Sequence, residues 1–259
     1  MDLELHGETV VVTGAGKGIG LATVRAFVAE GARVVAGSMT ATPELAALAG
    51  AGAVTVVEVD LATPDGPGEL VAAAGPELSV LVNNVGFVHP RPEGFTSVTD
   101  EQWQQTLTLD LMAQVRAVRA ALPVMVARGG GSIVTIGSVN AHLPDPLVVD
   151  YSAAKAAQVN LAKAISKEYG GRGIRVNTIN PGPVATDLWL GDGGVADLVG
   201  SATGQDPAAV QRAAAASMVT NRFTTPQEVA DLAVVLASGR WPNLTGASVG
   251  LDGGLVPTL

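Results

Sequence analysis

Tyr151 and Lys155 stand four residues apart in a segment of helical character, which puts both side chains on one helical face, one turn from each other. A phenol with an ordinary pKa of about 10 is a poor base near neutrality, and an ammonium beside it favours the phenolate. Such a pair suits proton transfer to or from an oxygen. Taken alone, a helical Tyr and Lys are more often a packed ring and a solvated charge, so the rest of the chain has to supply the context.

That context begins at Thr13-Gly14-Ala15-Gly16-Lys17-Gly18-Ile19-Gly20, which lies between a strand-type run and a helix-type run. Glycines here let the backbone turn tightly and let a pyrophosphate approach the amino end of the helix. This predicts a dinucleotide site. The histidines His6, His89 and His142 are scattered without ligand spacing, and no metal site is expected. His89 and His142 follow strands at the expected active-site end. The chain has no cysteine, which excludes disulfides, thiolate nucleophiles and thiolate-bound zinc.

The elements that must position these residues alternate along the whole chain. Thr9 to Thr13 is a short β-branched run suited to a strand buried on both faces, and apolar positions at Ile19, Val24, Phe27 and Val28 follow at helical spacing until Gly31. Further strands are predicted at Arg33 to Gly37, Val54 to Val59, Val80 to Val82, Ser132 to Gly137, Ile174 to Ile179 and Ala247 to Leu251. Long helices are predicted over Asp100 to Arg128, with Pro123 kinking or capping it near its end, and over Tyr151 to Tyr169. Thr225-Pro226-Gln227-Glu228 has the form of a capping box that starts a helix through Leu236. Trp103 reads as core. The pattern is that of one α/β domain over residues 1–259, a doubly wound parallel sheet of about seven strands with helices on both faces. Residues 187–221 lack periodic logic and read as a flexible insertion, a candidate substrate lid that Trp189 and Leu190 open.

Composition narrows the function. A chain of 259 residues that is 47% hydrophobic and 15% charged has ample core material, and a net charge of -9 disfavours a nucleic-acid partner. The first residues lack a basic n-region with a long apolar stretch, and no apolar run approaches the roughly 18 residues of a membrane span. A cytoplasmic protein without membrane or nucleic-acid partners is expected.

The spacing Thr13-Gly14-x-x-x-Gly18-Ile19-Gly20 resembles that of the short-chain dehydrogenase/reductase family, and other segments match the same pattern in order. Asn83-Asn84-Val85-Gly86 resembles its Asn-Asn-Ala-Gly, with Val for Ala; Asp60-Leu61 resembles the segment with its adenine-contacting Asp. Tyr151-Ser152-Ala153-Ala154-Lys155 matches its Tyr-x-x-x-Lys, Ser138 lies thirteen residues before the Tyr, and Asn180-Pro181-Gly182-Pro183-Val184 with Thr186 resembles the segment that cradles the nicotinamide. The resemblance runs from about Leu5 to Gly254 and implies a Rossmann-type fold and a nicotinamide-dependent oxidoreductase acting on a ketone, an aldehyde or a secondary alcohol. Tyr151 is then the acid/base, favoured as phenolate by an oxidised nicotinamide as well as by Lys155. Lys155 also binds the nicotinamide ribose, and Ser138 hydrogen-bonds the substrate oxygen where negative charge develops. The cofactor contacts implied are Gly14, Gly16, Lys17, Gly18, Ile19, Gly20, Ser38, Met39, Asp60, Leu61, Asn84, Val85, Gly86, Tyr151, Lys155, Pro181, Gly182, Val184 and Thr186.

The end of the second strand, Ala36-Gly37-Ser38-Met39-Thr40, carries no acid to bind a ribose 2′-hydroxyl, while Lys17 and Ser38 can meet a 2′-phosphate. This predicts NADP(H), with NAD(H) as the alternative; Met39 replaces the Arg that many NADP-preferring members carry. A second departure is Asp110, aligned where the family usually has an Asn that supports a proton relay to Lys. A carboxylate there would offset part of the charge that favours phenolate and shift the pH optimum. The resemblance further implies a homo-oligomer, tetramer or dimer, formed through helices and the C-terminal strand. Alternatives are a 3-oxoacyl thioester reductase, a cofactor-binding sensor without turnover and a scaffold subunit for a catalytic partner.

Overall fold

Val10, Val11 and Val12 are all shielded from solvent, the first and third in one apolar cluster and the middle one in another. Alternate side chains of a strand point to opposite faces, so a continuous apolar run means a strand covered on both sides. In the computed structural model, which describes residues 2–257, the inner strands of the sheet are built this way, while the two edge strands are partly exposed.

The chain runs β1 (Thr9–Thr13), α1 (Gly18–Ala29), β2 (Arg33–Ser38), α2 (Pro43–Gly50), β3 (Val54–Glu58), α3 (Gly66–Ala72) and β4 (Leu78–Asn83). It continues through α4 (Asp100–Leu107), a π-helical segment (Thr108–Met112), α5 (Ala113–Arg128), β5 (Gly131–Ile136), α6 (Val149–Tyr169) and β6 (Ile174–Pro181). Three helices follow, α7 (Asp187–Leu190), α8 (Val195–Thr203) and α9 (Pro207–Ala216), and then α10 (Pro226–Ala237) and β7 (Ser248–Leu251). The seven strands are all parallel in the order β3-β2-β1-β4-β5-β6-β7. The strand order reverses between β1 and β4, which opens a crevice at their carboxyl ends, where such sheets bind ligands.

One face is covered by α1 and α10, with Val24, Phe27, Val229, Ala233 and Val234 packed on Val10, Val12, Val80 and Val82. The other is covered by α3, α5 and α6, with Leu70, Ala117, Ala121, Met125, Ala162 and Ile165 on Val11, Val35, Leu81 and Ile133. The helix at α10 begins with the expected capping box, Thr225 Oγ1 accepting from Glu228 N–H while Glu228 Oε2 accepts from Thr225 N–H. Among the described residues no helix is long and apolar enough to cross a membrane.

Two expectations are corrected, for Trp103 and for residues 187–221. Pro123 lies inside α5, which reaches Arg128 as expected and stops at Gly129, whose φ of 96° is left-handed. A proline removes one N–H, and the buried flanks at Leu122 and Met125 hold the helix through. Trp103 is half-buried on α4 rather than core. Residues 187–221 are not a structureless insertion but carry α7, α8 and α9, the last begun by Asp206 accepting from Ala208 N–H ahead of Pro207.

Candidate active site

Ser138 sits just past the carboxyl end of β5, and Tyr151 and Lys155 project from the first turns of α6. Lys155 Nζ lies 5.4 Å from the centre of the Tyr151 ring and donates to Ile136 O at 3.3 Å, so the start of α6, packed at the carboxyl end of β5, brings the three together. The π-helical segment adds Asp110. Its turn is closed by Ala113 N–H donating to Thr108 O, five residues back, and it ends α4 with Asp110 aimed inward. Asp110 Oδ1 accepts from Phe87 N–H at 3.0 Å and stands 4.0 Å from Lys155 Nζ, with both side chains buried. Gln158, one turn beyond Lys155, donates to Asp110 O.

Burial dominates the electrostatics. It pushes Asp110 up to about 6 against the pull of Lys155 and of the Phe87 N–H, and it lowers Lys155 while Asp110 works the other way. Tyr151 is pushed above the ordinary phenol range by burial and then by Asp110, with the Ser138 hydrogen bond opposing. Burial and Asp110 thus work against the phenolate that the sequence argument favoured.

The glycine turn is fastened to the end of β4. Asn84 Nδ2 donates to Thr13 O at 2.9 Å and to Gly14 O at 3.0 Å, and Thr13 Oγ1 accepts from the backbone N–H of Asn84 and Val85. A Cβ on Gly20 would lie 2.1 Å from Gly14 O, and one on Gly86 would lie 2.7 Å from Asp110 Oδ1, so neither position admits a side chain. Gly14 and Gly18 hold φ of 64° and 54°, the left-handed region that favours glycine. The amino end of α1 has no side-chain cap, and its N-cap residue Lys17 is exposed. An uncapped helix start beside a turn that side chains cannot fill fits a dinucleotide phosphate. A Cβ on Gly16 would lie 2.4 Å from Ser38 Oγ, which brings the end of β2 against the same turn, and one on Gly18 would lie 3.3 Å from Thr186 Cγ2.

Some predicted contacts face elsewhere. Leu61 and Val184 are buried in the apolar clusters, so these two offer a ligand mainly their backbone, while Ile19 is only partly buried against one cluster. Val184 also pairs with Thr224 in a parallel bridge. Met39 is 74% exposed. Asp60 Oδ1 accepts from Ala62 N–H, while Pro181 closes β6 and Gly182 rests against Asp252. Trp189 packs edge-on against Phe223, 5.5 Å between ring centres, and Leu190 is exposed. His89 stacks near Phe87, and His142 Nε2 lies 3.2 Å from Ser248 Oγ. Among the described residues no cluster of three acidic or histidine groups could hold a metal.

Residues that sequence reasoning passed over complete the picture. Ser138 Oγ donates to Asn140 Oδ1 at 3.0 Å, and Asn140 Nδ2 donates to Ser152 Oγ, so an amide two residues downstream orients the serine. Thr13 and Gln158 act likewise on Asn84 and Asp110. Gln158 stands three residues from Lys155, a helical-face spacing that could have identified it.

Comparison with known proteins follows this geometry. The family model for short chain dehydrogenases matches residues 8–191. The D-threitol dehydrogenase of Mycolicibacterium smegmatis is 33% identical, covering 98% of this chain and 94% of the relative. The 3-oxoacyl-[acyl-carrier-protein] reductase of Thermotoga maritima is 31% identical over 98% of this chain and its own full length. Among solved structures, L-sorbose reductase from Gluconobacter frateurii, in complex with NADPH and L-sorbose, superposes with a TM-score of 0.90 at 33% identity, covering 100% of both chains.

Proposed function

The chain belongs to the short-chain dehydrogenase family, and on that premise we propose that it is an NADP(H)-dependent reductase of ketones or aldehydes in which Tyr151 is the acid/base and Ser138, Lys155 and Asp110 serve it. The observation that carries the reading is the meeting of Ser138, Tyr151 and Lys155 at the carboxyl edge of the sheet, beside the turn suited to a dinucleotide phosphate.

When bound, the nicotinamide supplies or takes up the hydride. In reduction Tyr151 gives its hydroxyl proton to the carbonyl oxygen as carbon is reduced; in oxidation it takes the alcohol proton. Burial keeps Tyr151 protonated, which suits the reductive direction. The hydroxyl of Ser138, oriented by Asn140, faces the substrate oxygen, and Lys155 holds the nicotinamide ribose. Gly14, Gly16, Gly18 and Gly20 receive the pyrophosphate, with Asn84, Val85 and Gly86 beside them; Asp60 with the Leu61 backbone receives the adenine. Pro181, Gly182, Val184 and Thr186 border the nicotinamide. Lys17 and Ser38 favour a 2′-phosphate, with NAD(H) the weaker ligand. That L-sorbose reductase is solved with NADPH supports this choice.

The helices over 187–221 act as the lid of one domain spanning the chain. A homo-oligomer, tetramer or dimer, is part of the same reading. It is supported by an open groove of about 530 Å³ between α5 and α6, lined by Val118, Leu122, Val126, Leu161, Ile165 and Tyr169, and light scattering of the purified chain tests it. A cytoplasmic setting goes with use of the cell's nicotinamide pool, and fractionation of a tagged chain tests that.

The experiment is consumption of NADPH and NADH with ketoses, simple ketones, aldehydes and 3-oxoacyl thioesters, run beside Tyr151→Phe. Loss of turnover on the order of 10²- to 10⁴-fold in Tyr151→Phe, with cofactor affinity kept, is the expected result. Tight cofactor binding without turnover on any of these would favour a sensor, and a preference for the thioesters would favour the acyl-carrier-protein reaction.

A further inference from the structure

Arg91 and Asp150 form an ion pair buried to within a few per cent, and nothing in the reading of the reaction centre requires it. The Arg91 Nη2 and Nε donate to Asp150 Oδ2 at 2.7 and 3.2 Å, and Thr106 Oγ1 of α4 donates to the same oxygen at 2.8 Å. Asp150 Oδ1 is buried without a partner among the described residues. A buried pair of this kind is a weak source of stability, because its desolvation consumes most of what the attraction returns. Its position says more than its strength.

Asp150 is the residue before Tyr151, in the first turn of α6, and the backbone N–H of Tyr151 helps to hold its carboxylate ionised. Arg91 belongs to the segment that leaves β4, and its own N–H donates to Leu147 O at 2.6 Å, just ahead of α6. Four residues earlier in that segment, Phe87 N–H donates to Asp110 Oδ1. The stretch from Phe87 to Arg91 is thus strung between two buried carboxylates, Asp110, 4.0 Å from Lys155, and Asp150, next in the chain to Tyr151. The groups facing Asp150 are Arg91 from this segment, Thr106 from α4, the Tyr151 N–H from α6 and, through space, Asp110 from the π-helical segment.

We propose that Arg91 and Asp150 are positioning residues for the reaction: together they clamp the chain leaving β4 onto the turn of α6 that carries Tyr151, and they present to Asp110 and Lys155 a neutral pair in place of a bare buried carboxylate. The clamp rests on the reading of Tyr151 and Lys155 as the reaction centre. It accounts for a costly pair at a place where packing alone would accept apolar side chains.

The test reads Asp110, whose titration lies near 6 and is raised in part by Asp150. The full chain is labelled with ¹³C at the Asp carboxyl carbons, the Asp110 signal is identified by its absence in Asp110→Asn, and its midpoint is followed from about pH 4 to pH 8. In Arg91→Met the midpoint is expected to rise by at least about half a pH unit, and in Arg91→Met with Asp150→Asn to return to the parent value. A folded Arg91→Met protein with an unmoved midpoint, or one that Asp150→Asn does not restore, overturns the proposal. If Arg91→Met does not fold, Asp150→Asn alone decides: the unpaired guanidinium lowers the Asp110 midpoint, and no change refutes the clamp. Turnover retained in Tyr151→Phe would sink the reading of the reaction centre instead, and leaves the titration result standing by itself.

Discussion

Asp110 and Lys155 face each other across 4.0 Å, both buried, with the carboxylate oxygen nearest the ammonium already accepting from Phe87 N–H. The resemblance read from the sequence puts this pair where the family usually has an amide and a lysine. An amide carries no proton equilibrium near neutrality, whereas Asp110 is raised to about 6.

A carboxyl whose pKa is raised by folding binds its proton more tightly in the native state. Its contribution to stability is therefore complete below the ordinary carboxylate range and is lost as pH climbs from about 4 through about 6. Asp110→Asn should flatten that part of the stability curve, which thermal melts between pH 4 and pH 7 would check. The same change removes a charge that raises Tyr151, so the alkaline inflection of the pH-rate profile should move down by about one unit. An unmoved inflection would mean that Asp110 has no bearing on the acid/base.

Ser38 closes β2 against the glycine turn, in register with Glu58 of β3. Ser38→Asp should raise KM for NADPH and lower it for NADH, since an acid there accepts from a ribose 2′-hydroxyl and repels a 2′-phosphate. A change on the order of tenfold in the ratio of kcat/KM values, about 1.4 kcal/mol, is expected, and steady-state kinetics with both cofactors measure it.

Gly20 has no room for a methyl group, since a Cβ there would meet Gly14 O at 2.1 Å and Asn84 Nδ2 at 2.6 Å. Gly14 O is backbone of the turn itself, and Asn84 Nδ2 is a side-chain end held by its two hydrogen bonds to that turn. Gly20→Ala should cost about 1–3 kcal/mol of stability and weaken cofactor binding together, as melting and fluorescence titration would show.

Thr225→Ala removes the side-chain acceptor that caps α10. A loss of about 1 kcal/mol is expected, with turnover and cofactor affinity unchanged because α10 packs on the face away from Tyr151. Chemical denaturation of the two proteins side by side gives the comparison. A drop in turnover would tie α10 to the site through α1, on which it packs.

Much of the fold was legible because its signals are local. The apolar run of β1, the glycines after it and the capping box of α10 each sit within a few residues, and each element formed where its pattern predicts. The helices over 187–221 were not legible in the same way. Glycines break that stretch into short helices, so the spacing of Val195, Leu198 and Val199 in α8 lasts little more than one turn, although Asp206-Pro207 is a helix-start signal of the same kind as Thr225-Pro226. In the site, Tyr151 and Lys155 share one helix and were readable from spacing. The Arg91–Asp150 pair joins residues 59 positions apart and exists only once β4 and α6 lie on neighbouring parts of the sheet. Nor does sequence tell that Asp110 is buried deeply enough to hold its proton near pH 6.

The two hydrogen bonds from Asn84 to the carbonyls of Thr13 and Gly14 have a consequence for how a nucleotide is met. Because a neighbouring strand already holds the turn in shape, an arriving ligand finds a finished mould and does not have to freeze a wandering loop. The entropy of ordering those residues is settled once, when the chain folds, and is not exacted again at every catalytic cycle.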